Sequence, residues 1–126
     1  MDKETQLLRQ VHPSFVQGDT ISTQVFTSQV FAPTPKDDNK LSTYNGNKFS
    51  PVDSHVHYSE LGYVSSGVVS VTVEECESES LSTEEDNDPF DGHCSIDFND
   101  LSTNGVKTKA KKLKKHASTR GWLHKS

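Results

Sequence analysis

Gly67-Val68-Val69-Ser70-Val71-Thr72-Val73-Glu74 decides the fold. Val69, Val71 and Val73 fall at every second position, with Ser70, Thr72 and Glu74 between them. A strand places alternate residues on one face, and β-branched side chains suit its pleat. The spacing predicts a strand over 67–74. Further along, His93-Cys94-Ser95-Ile96-Asp97-Phe98 repeats the alternation. Cys94, Ile96 and Phe98 are expected to point inward, and His93, Ser95 and Asp97 outward. Toward the N-terminus, Thr20 to Phe26 alternates with Ile21, Thr23 and Val25 on one face, and Gln29-Val30-Phe31 extends it. Lys40 to Tyr44 forms another short strand, which ends at the Asn45-Gly46-Asn47 turn.

Helices are announced by their ends. Ser50 caps, Pro51 suits the first helical position, and Asp53 meets the positive end of the helix dipole. A helix is expected from Pro51 to about Leu61, closed by Gly62. Val106, Ala110, Leu113 and Ala117 recur at helical spacing and predict a helix over 104–118 with one narrow apolar stripe. Residues 4–11 read as a third, short helix with Leu7, Leu8 and Val11 on one face, stopped by His12-Pro13. Gly18-Asp19 is a turn. Residues 33–39 and the acidic, Ser-rich residues 77–91 read as mobile loops, with Ser82 and Glu85 as a capping-box pair for one helical turn. The sum is a single α+β domain over 1–126. Its sheet is mixed or antiparallel, with three to four short strands at 20–26, 40–44, 67–74 and 93–98, and two to three helices pack on it.

Composition allows a small core. Hydrophobic residues make up 30% of the 126, and Leu, Ile, Val and Phe together number 28. The length excludes a multidomain enzyme, and no repeat suggests a fibre. No apolar run approaches the ~18 residues of a membrane span. Met1-Asp2-Lys3-Glu4-Thr5 lacks the apolar stretch of a signal peptide. The two cysteines, Cys76 and Cys94, show neither disulfide-scaffold nor zinc spacing. A reducing cytoplasm is the expected compartment.

Charge is segregated. The net charge is −5, yet from Lys107 onward there are eight basic residues and none of the 18 acidic ones. Glu74 to Asp100 carries eleven carboxylates. Lys107, Lys109, Lys111, Lys112, Lys114 and Lys115 surround the apolar stripe of the last helix. Such a helix repels itself unless the stripe docks and the lysines meet an anion, from nucleic acid, a partner or the acidic stretch of the same chain. No aromatic interleaving or zinc finger supplies base reading.

Two constellations suggest chemistry. Asp53-Ser54-His55-Val56-His57 matches the D-x-H-x-H opening of a hydrolase metal site, but on a helix His55 and His57 diverge by about 200°. No metal is therefore expected there, and Asp53 is expected in contact with His57. His93, Ser95 and Asp97 hold the residue types of a nucleophilic triad, but Ser stands in the middle where His must bridge. His93-Cys94-Ser95-Ile96 also matches the H-x-[ST]-hydrophobic signature of two-histidine phosphoesterases, whose required second copy finds only His55-Val56-His57-Tyr58, without the hydroxyl. The glycines form no dinucleotide or P-loop pattern and the carboxylates no EF-hand, so no cofactor is expected.

The ending Ala110-Lys111-Lys112-Leu113 … His116-Ala117 … Arg120-Gly121-Trp122-Leu123 resembles a family of short, uncharacterised bacterial proteins. The 67–76 segment and Gly92-His93 … Ile96-Asp97-Phe98 belong to the same pattern. The resemblance implies one compact domain with the tail as part of the fold, and no activity. Trp122 would then pack the end of the helix onto the body, or act as an interface hot spot. The expected function is a non-enzymatic interaction or regulatory protein of a bacterial multi-gene system. It would bind a protein partner, or itself, through its acidic and basic surfaces, with Lys107, Lys111, Lys114, Lys115, Arg120 and Trp122 as contacts. One alternative is a small phosphate- or nucleotide-directed enzyme using His93 with Asp97, or His55 with His57, and the lysine helix for the anion. The other is nonspecific nucleic-acid binding by the tail.

Overall fold

Leu7 and Leu8 are neighbours, and both are buried. On a strand they point to opposite faces, so a strand here must be covered on both sides. The computed structural model describes residues 1–17, 25–33 and 38–126. In it Gln6–Val11 is such a strand, β1. Leu7 and Val11 enter the main core, and Leu8 enters a smaller cluster on the other face. This corrects the short helix expected over 4–11. The spacing 7, 8, 11 fits one helix face, but polar Arg9 and Gln10 conceal the strand alternation.

The other strands are β2 (Val16–Gln17), β3 (Val25–Phe26), β4 (Lys40–Asn45), β5 (Gly67–Thr72), β6 (Ser82–Glu84), β7 (His93–Asp97) and β8 (His124–Lys125). The helices are α1 (Pro51–Glu60), α2 (Val73–Ser78) and α3 (Thr103–Arg120). The fold is α+β, with a six-stranded sheet in the order β6-β7-β4-β1-β5-β8. Every pairing in it is antiparallel. Six strands replace the three to four expected, because β1, β6 and β8 are short or poor in apolar alternation. β3 pairs with β2 in a separate two-stranded ribbon, so the described end of the expected 20–26 strand lies outside the main sheet. Residues 18–24, with the Gly18-Asp19 turn, and residues 34–37 of the expected loop fall outside the described residues. Gln29-Val30-Phe31 does not extend a strand. It lies in a 3-10 turn, Ser28–Phe31, that buries Val30 and Phe31.

The strand expected over 67–74 stops at Thr72. Thr72 accepts from Glu75 N while the Glu75 side chain accepts from Thr72 N, a reciprocal cap that starts α2. The capping box is therefore at 72/75 and not at 82/85, because Ser82 sits in β6 against Asp97. The segment at 77–91 holds the end of α2 and this edge strand, so it is not loop throughout.

Two helix predictions agree with the structure. Ser50 caps α1 through its Oγ and Asp53 N at 3.0 Å. In α3 the buried residues are Val106, Ala110, Leu113 and Ala117. α3 lies on one sheet face, over a core that includes Leu7, Val71, Ile96 and Phe98. α1 lies over the other face, beside Leu8, Tyr44 and Val68, with its Tyr58 packed on them. Beneath it, Gln10 Nε2 donates to Ser54 Oγ at 3.0 Å and Ser65 Oγ donates to Gln10 Oε1 at 2.9 Å, so this buried amide is satisfied.

Candidate functional site

β1 and β4 pair only at Leu7↔Asn45 and Leu8↔Tyr44, although both strands continue beyond. Past Leu8 they separate. Arg9 crosses the split, donating from Nε to Val30 O at 2.8 Å and from Nη1 to Ser42 O at 3.0 Å. Above this split opens a cleft of about 400 Å³ on the α1 face. Among the described residues, those that line it include Arg9, Ser42, Tyr44, Tyr63, Phe90 and His93.

The expected outward face of β7 is not solvated. His93 is 7% exposed and Ser95 5%, because residues 86–91 fold over them. Asp86 joins the two, with Oδ1 2.6 Å from His93 Nδ1 and Oδ2 2.6 Å from Ser95 Oγ. Burial alone would raise the Asp86 pKa. The hydrogen bonds from His93 and Ser95 outweigh it and hold the carboxyl below its ordinary value of 3.8. An ionised Asp86 accepts the Nδ1 proton, which leaves Nε2 as the nitrogen available to a ligand. Among the described residues Nε2 has no hydrogen-bond partner, and no unpartnered side-chain nitrogen or oxygen is sealed from solvent.

This is not a nucleophilic triad. The carboxylate bridges, and Ser95 Oγ bonds to Asp86 instead of the imidazole. Asp97 takes no part: its Oδ1 accepts from Asn99 N at 2.7 Å and closes a turn. Asp86 had no sequence signal of its own, being one carboxylate in an acidic run. His55 and His57 diverge as their helical spacing requires. His55 Nε2 lies 3.1 Å from Ser65 O, and His57 Nδ1 lies 2.9 Å from the Tyr44 hydroxyl. His57 thus meets Tyr44, not Asp53 as expected. Burial, and then Tyr58, push the Tyr44 hydroxyl above its ordinary 10.0, so it stays a neutral phenol. Among the described residues no three metal-binding side chains converge. Cys76 and Cys94 are buried thiols pushed up to about 12, by burial first and then by nearby carboxylates, and are poor nucleophiles.

The second candidate surface lies on the opposite sheet face. Lys107, Lys111, Lys112 and Lys115 are exposed on α3, with Lys109 and Lys114 half-buried. Among the described residues none of these six makes an ion pair. The acidic stretch reaches α3 only at its C-terminal end. Arg120 donates from Nη2 to Glu75 Oε2 at 3.1 Å and from Nη1 to Ser70 O at 2.9 Å, while His116 Nε2 lies 3.1 Å from Glu79. Arg120 is thus turned inward. Trp122 packs edge-on against Phe26, at 5.7 Å between ring centroids. The lysine row and His93 are on opposite faces, so they do not address one ligand. Among the described residues no helix is long and apolar enough to cross a membrane.

Glu75 is a second lowered carboxyl. Burial opposes ionisation, but hydrogen bonds from Arg120 and Thr72 bring it below its ordinary 4.5. A carboxylate whose folded value lies below its unfolded value stabilises fully above the unfolded value. That contribution is lost as pH falls through the folded one. Acid unfolding followed by circular dichroism should therefore begin at higher pH for the wild type than its remaining carboxylates would dictate. Glu75→Gln and Asp86→Asn should each lower stability at pH 7 and flatten its loss below about pH 4.5. An unchanged acid limb in both variants contradicts the lowered values.

Comparison with protein-family models, with curated proteins and with solved structures finds no match to this chain.

Proposed function

We propose that the protein is a non-catalytic interaction or regulatory protein, an accessory component of a bacterial multi-gene system. It binds an acidic surface of a protein partner through the lysine face of α3. The observation that carries this reading is the row Lys107, Lys111 and Lys115, which makes no ion pair among the described residues, on a helix whose apolar side is docked. The acidic stretch is engaged elsewhere, by Arg120, His116, Lys48 and Lys40. Like charges four residues apart on a helix cost about 0.2–0.5 kcal/mol per pair. The row is thus a local cost to stability, and an acidic partner relieves it.

That cost is measurable. Lys111→Glu converts two repulsive pairs into attractive ones and should stabilise the fold by about 0.5–1 kcal/mol in urea unfolding at low salt, with the gain shrinking at high salt. A destabilised variant would mean that the lysines already meet an intramolecular anion.

The reading itself is tested by affinity capture from the native host, with nuclease, using wild type and a Lys107→Glu/Lys111→Glu/Lys115→Glu variant. It expects one protein in stoichiometric amount, insensitive to nuclease, captured by the wild type and lost by the variant. Capture that ignores the charge reversal overturns it. An eluate holding only nucleic acid, lost with nuclease and at high salt, would transfer the lysine face to nonspecific nucleic-acid binding.

A further inference from the structure

The cleft above the β1/β4 split goes beyond the reading just given, because it lies on the sheet face away from the lysine row. Leu8, Tyr44 and His93 are direct partners across β1, β4 and β7, at Leu8↔Tyr44 and Tyr44↔His93. Residues directly opposite in an antiparallel ladder share a face, so the three stand in one row on the α1 side. All three line the cleft, with Tyr63 from the chain after α1 and Phe90 from the connection before β7. His93 is 7% exposed, and its Nδ1 donates to Asp86 at 2.6 Å. In the neutral ring Nε2 is then a bare acceptor. Among the described residues nothing donates to Nε2, yet it is not sealed from solvent, and this cleft is a cavity that His93 lines. A side chain more than nine-tenths buried thus turns an unused acceptor toward the cleft.

The surroundings of that acceptor are flat and apolar. Phe90 meets His93 edge-on, with ring centroids 5.3 Å apart, and Tyr63, stacked on Tyr58 at 5.0 Å, is 59% exposed. Exposed aromatic faces beside a cavity are stacking surfaces for another ring. The described residues hold their charges elsewhere. Arg9 is engaged by Val30 O and Ser42 O, and the Asp86 carboxylate is taken up by His93 and Ser95. A charged ligand would lose its hydration there without a partner, while a neutral one exchanges a single hydrogen bond to water for one to Nε2. We propose that the cleft binds a neutral aromatic molecule of the phenol or indole class, stacked at Tyr63 and Phe90 and donating its one O–H or N–H to His93 Nε2. The cleft holds about 400 Å³, within the roughly 300–1,000 Å³ of small-molecule sites.

The test is NMR titration of the full chain with phenol and indole, each beside its methylated counterpart, anisole and 1-methylindole, and with benzoate. Phenol or indole is expected to bind saturably at one site, with a Kd of about 1 mM or tighter. Its methylated counterpart should bind about tenfold more weakly, because the buried acceptor is left unpaired. In protein carrying nitrogen-15 histidine, the His93 Nε2 resonance should move with the donor ligand and not with the methylated one, a response that a purely structural His93 would not give. Tyr63→Ala should weaken binding about fivefold through lost stacking. His93→Phe should remove the difference between phenol and anisole. Circular dichroism checks that each variant is folded. Should His93→Phe unfold, the paired ligands and the Nε2 resonance of the wild type decide. The proposal is overturned if neither phenol nor indole binds, if the methylated ligands bind as tightly, if benzoate binds more tightly than both, or if the Nε2 resonance stays still. It is equally overturned if binding survives Tyr63→Ala undiminished, or is abolished by the triple lysine-to-glutamate variant, which would place it on α3. Loss of partner capture with intact phenol or indole binding would leave this site standing and remove the α3 reading, so the two fail separately.

Discussion

Leu113→Ala is expected to destabilise the protein by about 3 kcal/mol, within the roughly 2–5 kcal/mol seen when a fully buried Leu is truncated. Leu113 is 0% exposed and sits at the centre of the only apolar stripe of α3. Its neighbours on the stripe, Ala110 and Ala117, are too small to fill the space it would leave. Part of the cost is lost transfer free energy and part is the cavity. The effect should appear in urea unfolding as a lower midpoint with an unchanged slope. Lys112→Ala, one residue away but exposed, is the control and should shift stability by no more than about 0.5 kcal/mol. If Leu113→Ala cost less than about 1 kcal/mol, α3 would not be docked as described, and its lysines would not be held as a fixed face.

That stripe was legible because a helix with charge on nearly every other azimuth leaves its buried face conspicuous. α1 was legible for a related reason: Ser50, Pro51 and Asp53 state its start in local chemistry that packing does not override. β1 was not. Its burial on both faces is a tertiary fact, and the sequence shows only Leu7, Leu8 and Val11 separated by Arg9 and Gln10. Arg9 is accommodated because β1 and β4 part and leave the Ser42 carbonyl for it to bond, while the 3-10 turn brings up the Val30 carbonyl. Gln10 is inside because Ser54 and Ser65 meet its amide. Both partnerships span long stretches of chain and have no local signature. Residues 73–78 were lost for the opposite reason. Val73 continues the alternation of β5, and only the Thr72–Glu75 cap shows that the backbone has turned helical.

The cleft follows the same logic. His93 and Ser95 could be marked from the sequence as a chemical pair, but not their relation. Strand spacing puts His93 and Asp97 about 13 Å apart, beyond contact. The carboxylate that does the bridging comes from the connection that folds back over β7. Tyr44, Tyr63 and Phe90 come from three separate segments, and no spacing rule unites them. What the sequence could state was the charge division, and the fold converts it into geometry. The sheet separates a cleft lined in part by aromatic side chains from the lysine-covered helix α3, with a packed core between them.

Gly67→Ala is expected to cost about 1–3 kcal/mol and to change the environment of Trp122, the single tryptophan. Gly67 opens β5 where β8 pairs with it, at Gly67↔Lys125 and Val68↔His124. A methyl group there would collide with the His124 carbonyl oxygen and lie 2.8 Å from the Trp122 ring. The carbonyl belongs to backbone held by Leu123 N to Val68 O at 2.8 Å and Ser126 N to Ser66 O at 3.1 Å, so it can yield only if β8 lifts. Trp122 is pinned between Gly67 and Phe26, with Lys125 Nζ 5.2 Å from its ring centre. Lifting β8 therefore moves the indole toward water, and its emission should shift to the red before global unfolding begins. The cost should fall in a Trp122→Ala background, where the ring no longer resists, but should not vanish while the His124 carbonyl remains. Additive effects of the two substitutions would mean that Trp122 does not rest on Gly67. A silent Gly67→Ala, with unchanged emission and midpoint, would detach β8 from the sheet altogether.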